Sequence, residues 1–515
     1  MLTFDNWLTN YTWIGFGLVW VAAAFYYNAA LTGPDSRLPV NGYWVVVFCG
    51  LLLFMRLPFI TYNHELDIDE SQMLAQAMGL KRFWVHWKFV DGLTQGPLTS
   101  YALIVPSWLG LPFDYTAGRS LGVVMLFFTL SATFLGLRDL FRKTVALAAF
   151  TPVAFFYLLS QGAFSTLYNE YLVLFLLALC FRLFSTLYRR PRPQIREVSL
   201  LGFLAGMVPF AKLQGAPTAL VIVVFAAVII YHRSPDKVKM LACFVAAGML
   251  FPMLVLGFTI RYGVLDNFWQ FYIIGNMEYS SGGSIWVKAM RYPRFLRQSG
   301  QFLYFFACNL ALTLCAVVQS IRTRTPLRSP GLLFWFGLCH VATAFYVVVK
   351  SGYLFPHYQQ FLIIPLSIFA GSLAEIALGP LSPDRRLPNT ALPAWMLVCF
   401  LPHLVSKWAT VTARGSVSGT RISVADLGKP ISVSPVARTV LRFARPGDLL
   451  TVWGWHPAYH LETRLSQGTA DVIPFRVLTE GPPTGESPSK IFAGYAKERP
   501  GRYRRPDHQS VLLVR

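Results

Sequence analysis

Twelve apolar runs of about 20 residues dominate this sequence, and no other feature limits its fold as tightly. They fall at 11–31, 43–61, 119–137, 144–160, 171–188, 198–214, 216–231, 240–260, 301–320, 331–349, 359–379 and 391–406. A run of that length with few charges, wound as a helix, crosses the ~30 Å hydrocarbon core of a bilayer. Composition agrees: of 515 residues, 55% are hydrophobic and 13% charged, about half the charged share of a soluble domain. The expected fold class is a polytopic α-helical membrane protein with about 12 transmembrane helices. Met1 to Trp13 carries Asp5 and no Lys or Arg. That is the wrong charge for a cleaved signal peptide, so the first run is expected to stay in the mature protein.

The formal net charge is +21, which in a soluble chain would suggest a nucleic-acid partner. Here the charge sorts by loop. Arg37; Arg138, Arg142 and Lys143; Arg189, Arg190, Arg192 and Arg196; Arg233, Lys237 and Lys239; Arg322, Arg324 and Arg328; and Arg385 with Arg386 occupy every second loop. They are 16 basic residues against five acids (Asp35, Asp139, Glu197, Asp236, Asp384), or +11 of the +21. Short cytoplasmic loops hold the Lys and Arg, so these loops are expected inside and both termini outside. The excess reads as orientation signal, with membrane lipids as partners and no nucleic acid. All 7 cysteines lie in apolar runs, and no disulfide framework is visible.

The expected outer segments are of another kind. Residues 62–118 form a long loop that begins acidic and continues through Lys81, Arg82, Trp84, His86, Trp87 and Lys88, an amphipathic stretch expected to lie in the interface. Its apolar run Pro97–Leu111 is too short to span and is expected to be re-entrant or surface-lying. Residues 261–300 form a second outer loop, with Lys288, Arg291, Arg294 and Arg297. Beyond a membrane domain of 1–406, residues 407–515 carry short β-like runs such as Leu449–Trp455 and Ser510–Val514, broken by Pro and Gly. A small outer α/β domain is expected there, and its basic excess could hold it against anionic head groups.

Charge at the ends of spans is where chemistry is expected, since ionisable groups in or near a bilayer are costly. The densest cluster is His64-Glu65-Leu66-Asp67-Ile68-Asp69-Glu70, after the second run. Four carboxylates in six residues raise one another's pKa and can serve as a base or hold a cation. Asp67 and Asp69 are both candidate bases, and Asp67, Asp69 and Glu70 could hold a divalent cation. A plainer reading has Asp69 capping a helix Glu70–Gly79. Glu170, in Tyr168-Asn169-Glu170-Tyr171, falls on the same expected side as this cluster, as does Lys212, flanked by Pro209 and Gly215. So do Lys350, His357 and Tyr358 before the eleventh run, donors able to hold a phosphate and stabilise charge on a leaving oxygen. His64, Glu65 and Arg119, the last at the start of the third run, complete the candidate substrate contacts. No Gly-rich phosphate loop, CxxC or HExxH occurs, which speaks against soluble nucleotide-sugar chemistry.

These residues resemble the GT-C membrane glycosyltransferases, and within them the branch of bacterial lipid A aminoarabinose transferases, galacturonosyl transferases and protein O-mannosyltransferases. Asp69-Glu70 stands where that branch has an Asp-Glu pair opening an interfacial helix, with Met73 or Leu74 where an aromatic is often found. Tyr168-Asn169-Glu170-Tyr171 matches a second acidic position, usually aspartate; Ala211-Lys212 matches a lysine near the carrier phosphate; Pro356-His357-Tyr358 matches a late-span motif. The resemblance implies an inverting transfer of a monosaccharide from a polyprenyl-phosphate donor to a hydroxyl of a lipid, glycan or protein acceptor. It also implies the inner membrane of a bacterium, with the site and the C-terminal domain periplasmic. Catalysis would fall to Asp69, Asp67, Glu70 and Glu170. The rival from another class is a transporter or flippase of a lipid-linked sugar, with the same acids as ion relays. Transporters concentrate charge at the midplane and often repeat in halves, and neither feature is seen in this sequence.

Overall fold

The computed structural model describes residues 3–33, 37–93, 95–161, 164–279, 283–322, 331–378, 391–412, 420–470 and 510–514. Asp35, Arg324, Arg328, Asp384, Arg385 and Arg386 of the charged loops lie outside them, as do residues 471–509. In chain order the helices are α1 (Asn6–Thr32), α2 (Gly42–Thr61), α3 (Ile68–Phe83), α4 (Pro97–Ala102), α5 (Val105–Trp108), α6 (Tyr115–Leu140), α7 (Lys143–Leu159) and α8 (Glu170–Arg189). There follow α9 (Ile195–Ala211), α10 (Ala216–Arg233), α11 (Lys237–Arg261), α12 (Leu265–Asn267), α13 (Gly275–Tyr279), α14 (Ile285–Gln298), α15 (Gln301–Arg322), α16 (Leu332–Lys350), α17 (Ile363–Leu378), α18 (Ala391–Thr412), α19 (Pro435–Phe443) and α20 (Ala458–Thr463).

Each of the twelve apolar runs coincides with one of these helices. Among the described residues 10 are long and apolar enough to cross a membrane. The other two, α7 and α9, have 17 residues each and rise about 25 Å, the short end of a span. The chain is a polytopic α-helical membrane protein. Side-chain caps fix several starts: Asp5 accepts from the Leu8 amide at 2.8 Å before α1, and Asp114 accepts from the Ala117 amide at 2.9 Å before α6.

Pro97–Leu111 folds as the two short helices α4 and α5 rather than as a span. Pro106, which has no amide to contribute, sits in the first turn of α5 and marks the break. The helix in the acidic loop also starts earlier than expected. Asp67, not Asp69, is its cap, accepting from the Asp69 amide at 3.0 Å. At its other end Trp84 takes a left-handed conformation (φ 46°) and turns the chain inward. His86 and Trp87, expected in an interfacial stretch, are buried, while Lys81, Arg82, Trp84 and Lys88 stay exposed.

Close packing sets the site's position. A Cβ on Gly206 would lie 2.1 Å from the Gly248 carbonyl oxygen, and one on Gly202 2.3 Å from that of Phe244. The small residues thus let the backbones of α9 and α11 touch, as small-xxx-small pairs do in membranes. Past its end, α9 is held by the Gly96 amide at 2.9 Å and the Thr99 hydroxyl at 3.0 Å, both donating to the Ala211 carbonyl. Lys212 follows in extended conformation. Of the ten longer spans α8 and α17 are the most enclosed, and both begin at the charged cluster described below.

The described part of the C-terminal segment lies over α3. Strand β1 (Thr3–Phe4) pairs in parallel with β2 (Arg421–Ile422), and β3 (Leu449–Trp453) pairs antiparallel with β4 (Ser510–Val514). α20 packs on α3. Arg82 donates to the Gly447 carbonyl at 2.8 Å, and the Asp91 amide to that of Ala470 at 3.0 Å.

Candidate functional site

The site is built from three chain reversals at one end of the helix bundle: the acidic loop into α3, the loop into α8, and the 3-10 turn Pro356–Leu362 into α17. Asp69 lies on the first turn of α3. Its carboxylate Oδ2 is 3.8 Å from His357 Nε2, which in turn is 4.0 Å from Glu170 Oε1. Lys212 Nζ is ion-paired with Glu170 and donates to Asn169 Oδ1 at 2.6 Å. Two aromatics hold the set. The Tyr168 ring stacks on His357 at 4.3 Å while its hydroxyl donates to Asp67 Oδ2 at 3.0 Å, and the Tyr358 ring lies 4.7 Å beneath Lys212 Nζ.

Burial decides how these groups behave. Glu170 is fully buried and Lys212 and His357 are nearly so, but Asp69 keeps 32% of its side-chain surface open. The surrounding protein and the neighbouring carboxylates of Asp67 and Glu170 push the Asp69 carboxyl up to about 7 from its ordinary 3.8, against the pull of Lys212. Burial also raises Asp67, opposed by its bonds from the Asp69 amide and Tyr168. Asp69 is therefore the acid in this cluster that is both reachable and poised to exchange a proton near neutral pH.

Glu70, one residue on, faces away. Its side chain is fully buried, and Arg119 grips it through Nε at 2.9 Å and Nη2 at 2.6 Å, with the Leu167 amide adding a bond at 2.7 Å. Arg119 spends its other donors on the carbonyls of Phe59, Tyr62 and His64. Every polar atom of this pair is turned to protein, so it ties α2, α3, α6 and the loop before α8 together and offers nothing to a ligand. The same geometry bears on the cation that Asp67, Asp69 and Glu70 could hold. Glu70 does not converge with the two aspartates, and among the described residues no three His, Cys, Asp or Glu side chains gather as metal ligands.

The remaining candidates divide. Lys350 lines a cavity of about 120 Å³ together with Lys212, Tyr346, Tyr358, Gln214 and Asn276, so it shares the cluster's open space without touching its acids. A larger cavity, about 200 Å³, lies among apolar side chains of α1, α2, α6 and α7 and does not reach the charged cluster. His64 and Glu65 face the C-terminal segment and its neighbours. His64 Nδ1 is 3.3 Å from the Ser432 hydroxyl, and Glu65 accepts from Ser71, itself bonded to Tyr115 at 2.7 Å. Burial lowers the His64 pKa and raises that of Glu65.

Tyr168 and Asn169 enter from the sequence only as neighbours of Glu170, and Arg56 does not enter at all. Arg56 is a buried cation within the second apolar run, donating to the Tyr157 carbonyl at 2.6 Å and the Phe164 carbonyl at 2.9 Å. A lone arginine inside such a run was the available signal. Tyr157 lies in the last turn of α7, where a cation offsets the helix dipole.

No family model and no curated protein matches this chain. Solved structures do, among them ArnT from Cupriavidus metallidurans bound to undecaprenyl phosphate, 16% identical with a TM-score of 0.54, covering 88% of this chain and 91% of that one, and the same protein in the apo state, 15% identical, TM-score 0.55, covering 89% and 91%. An oligosaccharyltransferase from Archaeoglobus fulgidus is 12% identical over 79% of this chain and 59% of that one, with a TM-score of 0.42. The likeness to ArnT is a likeness of fold, and it agrees with the GT-C resemblance carried by the residues.

Proposed function

We propose that this protein is an inverting glycosyltransferase that moves a monosaccharide from a polyprenyl-phosphate donor to a hydroxyl of an envelope lipid, glycan or protein. The observation that carries the reading is the pairing of Asp69, a carboxylate about one-third open, with His357 3.8 Å away and with Lys212 beyond it beside a cavity. Displacement at a sugar carbon needs a base on the attacking side and positive charge where the leaving phosphate forms. This cluster supplies both, the base from the first turn of α3 and the positive charge from Lys212 at the end of α9. The ArnT fold, one structure of which holds undecaprenyl phosphate, adds support for a prenyl lipid as the carrier.

In this scheme Asp69 accepts the acceptor's hydroxyl proton as that oxygen bonds to the anomeric carbon. The bond from that carbon to the phosphate oxygen breaks, and its electron pair leaves with the prenyl phosphate. Lys212 and Lys350 balance the phosphate charge, and His357 offers it a hydrogen bond. Glu170 and Asn169 hold Lys212, and Tyr168 aligns both Asp67 and the His357 ring. Glu70 and Arg119 are positioning residues that aim α3. The alternation of basic loops puts this site on the side opposite the cytoplasm, which in a bacterial inner membrane is the periplasm.

Asp69→Asn keeps the shape and removes the base. In the purified protein supplied with polyprenyl-phosphate sugars and envelope acceptors, transfer should fall by about 10²–10⁴, with the melting temperature near that of the wild type. Undiminished transfer by a folded Asp69→Asn protein overturns the assignment. Lipid-linked sugar movement across sealed vesicles without any sugar transfer would favour the transporter reading instead.

A further inference from the structure

We propose that the exposed face of α14 docks anionic phospholipid head groups of the leaflet that borders the site. This goes beyond the catalytic reading and does not depend on it. The helix Ile-Trp-Val-Lys-Ala-Met-Arg-Tyr-Pro-Arg-Phe-Leu-Arg-Gln holds four cations and no acid. One face is settled against the protein: Lys288, Tyr292 and Phe295, each about one turn from the next, are buried. Lys288 donates to the Lys350 carbonyl at 2.6 Å, which places α14 beside the end of α16 and hence on the same side of the membrane as the site.

The opposite face is open and of mixed character. Trp286 is 76% exposed and Met290 73%, side chains that a water-facing helix would bury. Arg291, Arg294 and Arg297 are exposed as well, and none is ion-paired among the described residues. Large apolar groups with arginines on one exposed face fit the plane where acyl chains meet phosphates: the apolar groups enter the hydrocarbon edge, and guanidinium groups bind phosphate oxygens.

Spacing selects the occupant. Three residues along a helix advance about 4.5 Å, so Arg291 and Arg297 stand about 9 Å apart along the axis. Cations spread in that way on an open surface do not converge on one phosphate; they meet a field of separate head groups. A single carrier phosphate needs an enclosing set of donors, which is the geometry of the cavity beside Lys212 and Lys350. The partner that fits α14 is thus the anionic phospholipid of the bulk leaflet rather than one prenyl phosphate.

The test uses the full chain in phosphatidylcholine bilayers, with spin-labelled phosphatidylglycerol and phosphatidylcholine as probes of the lipid layer it immobilises. The basic loops of the other side also attract anions, so the readout is the change on substitution. R291Q/R294Q/R297Q should lower the preference for the glycerol label by about threefold or more. The lysine triple variant should keep most of that preference, and salt should erode it in the wild type. A preference equal in the wild type and the glutamine variant overturns the proposal. So does loss of the bound label to one equivalent of a polyprenyl phosphate, which would make the face a carrier site. If the glutamine variant does not fold, single Arg294→Gln and Arg297→Gln variants carry the same comparison, and no change in either overturns it.

Discussion

Asp69 and Glu70 are adjacent carboxylates on the first turn of α3, and they belong to different regions of the molecule. Glu70 is sealed, fully buried and gripped by Arg119. Asp69 is a third open, faces His357, and has a pKa lifted to about 7. The lesson is that charge near a bilayer does two jobs. A carboxylate whose oxygens are all bonded fastens helices together, whereas one left partly unsatisfied beside other acids can exchange a proton. The Lys212–Glu170 pair stands between them: it is buried like the first, yet one wall of it borders a cavity.

The contrast is broken most directly at Arg119. Arg119→Gln leaves Glu70 charged and without its partner in the core, which should cost about 3–5 kcal/mol of stability and show as a lower melting temperature and less folded protein in detergent. If Arg119→Gln and Asp69→Asn have equal melting temperatures, the division between fastening and working acids is wrong.

A smaller and more selective effect concerns pH. Below about 7 the transfer rate should rise roughly tenfold per pH unit and then level off, as Asp69 loses its proton. Stability should move the other way. Because folding raises this carboxyl from 3.8 to about 7, the folded state binds more protons than the unfolded state between those values, so stability falls as pH climbs from about 4 to about 7. In Asp69→Asn that slope should shrink, and thermal melts across the range check it. A rate that is flat from pH 5 to 8 removes Asp69 as the base.

Tyr168→Phe should be the mildest of the set. It deletes the hydroxyl that donates to Asp67 at 3.0 Å and keeps the ring stacked on His357. A cost of about 0.5–1.5 kcal/mol is expected, read as a few-fold fall in transfer rate with little change in substrate affinity. A loss as deep as that of Asp69→Asn would move the working role from Asp69 to Asp67.

Much of this was legible in the residues. The twelve apolar runs coincide with twelve helices, because a bilayer accepts few backbone arrangements and a helix satisfies every backbone group within its own run. Pro97–Leu111 was rightly refused as a span, since its length fell short and Pro106 divides it. The plainer alternative, Asp69 as the cap, fails: Asp67 and Asp69 have the same chemistry two residues apart, and only the path of the chain decides which one meets the first free amide. Asn169 and Tyr168 were passed over as partners because their roles depend on Lys212 and His357, some 40 and 190 residues away in the chain.

From the sequence alone came the membrane class, the places of the apolar helices and the residues that carry charge near their ends, because each follows from local composition and length. Tertiary structure alone decided which acid is locked and which is free. Adjacent positions on a helix point about 100° apart, so a single step along α3 carries a carboxylate from the grip of Arg119 to a partly open position facing His357. That difference is set by what other helices bring to each side, not by anything written at positions 69 and 70.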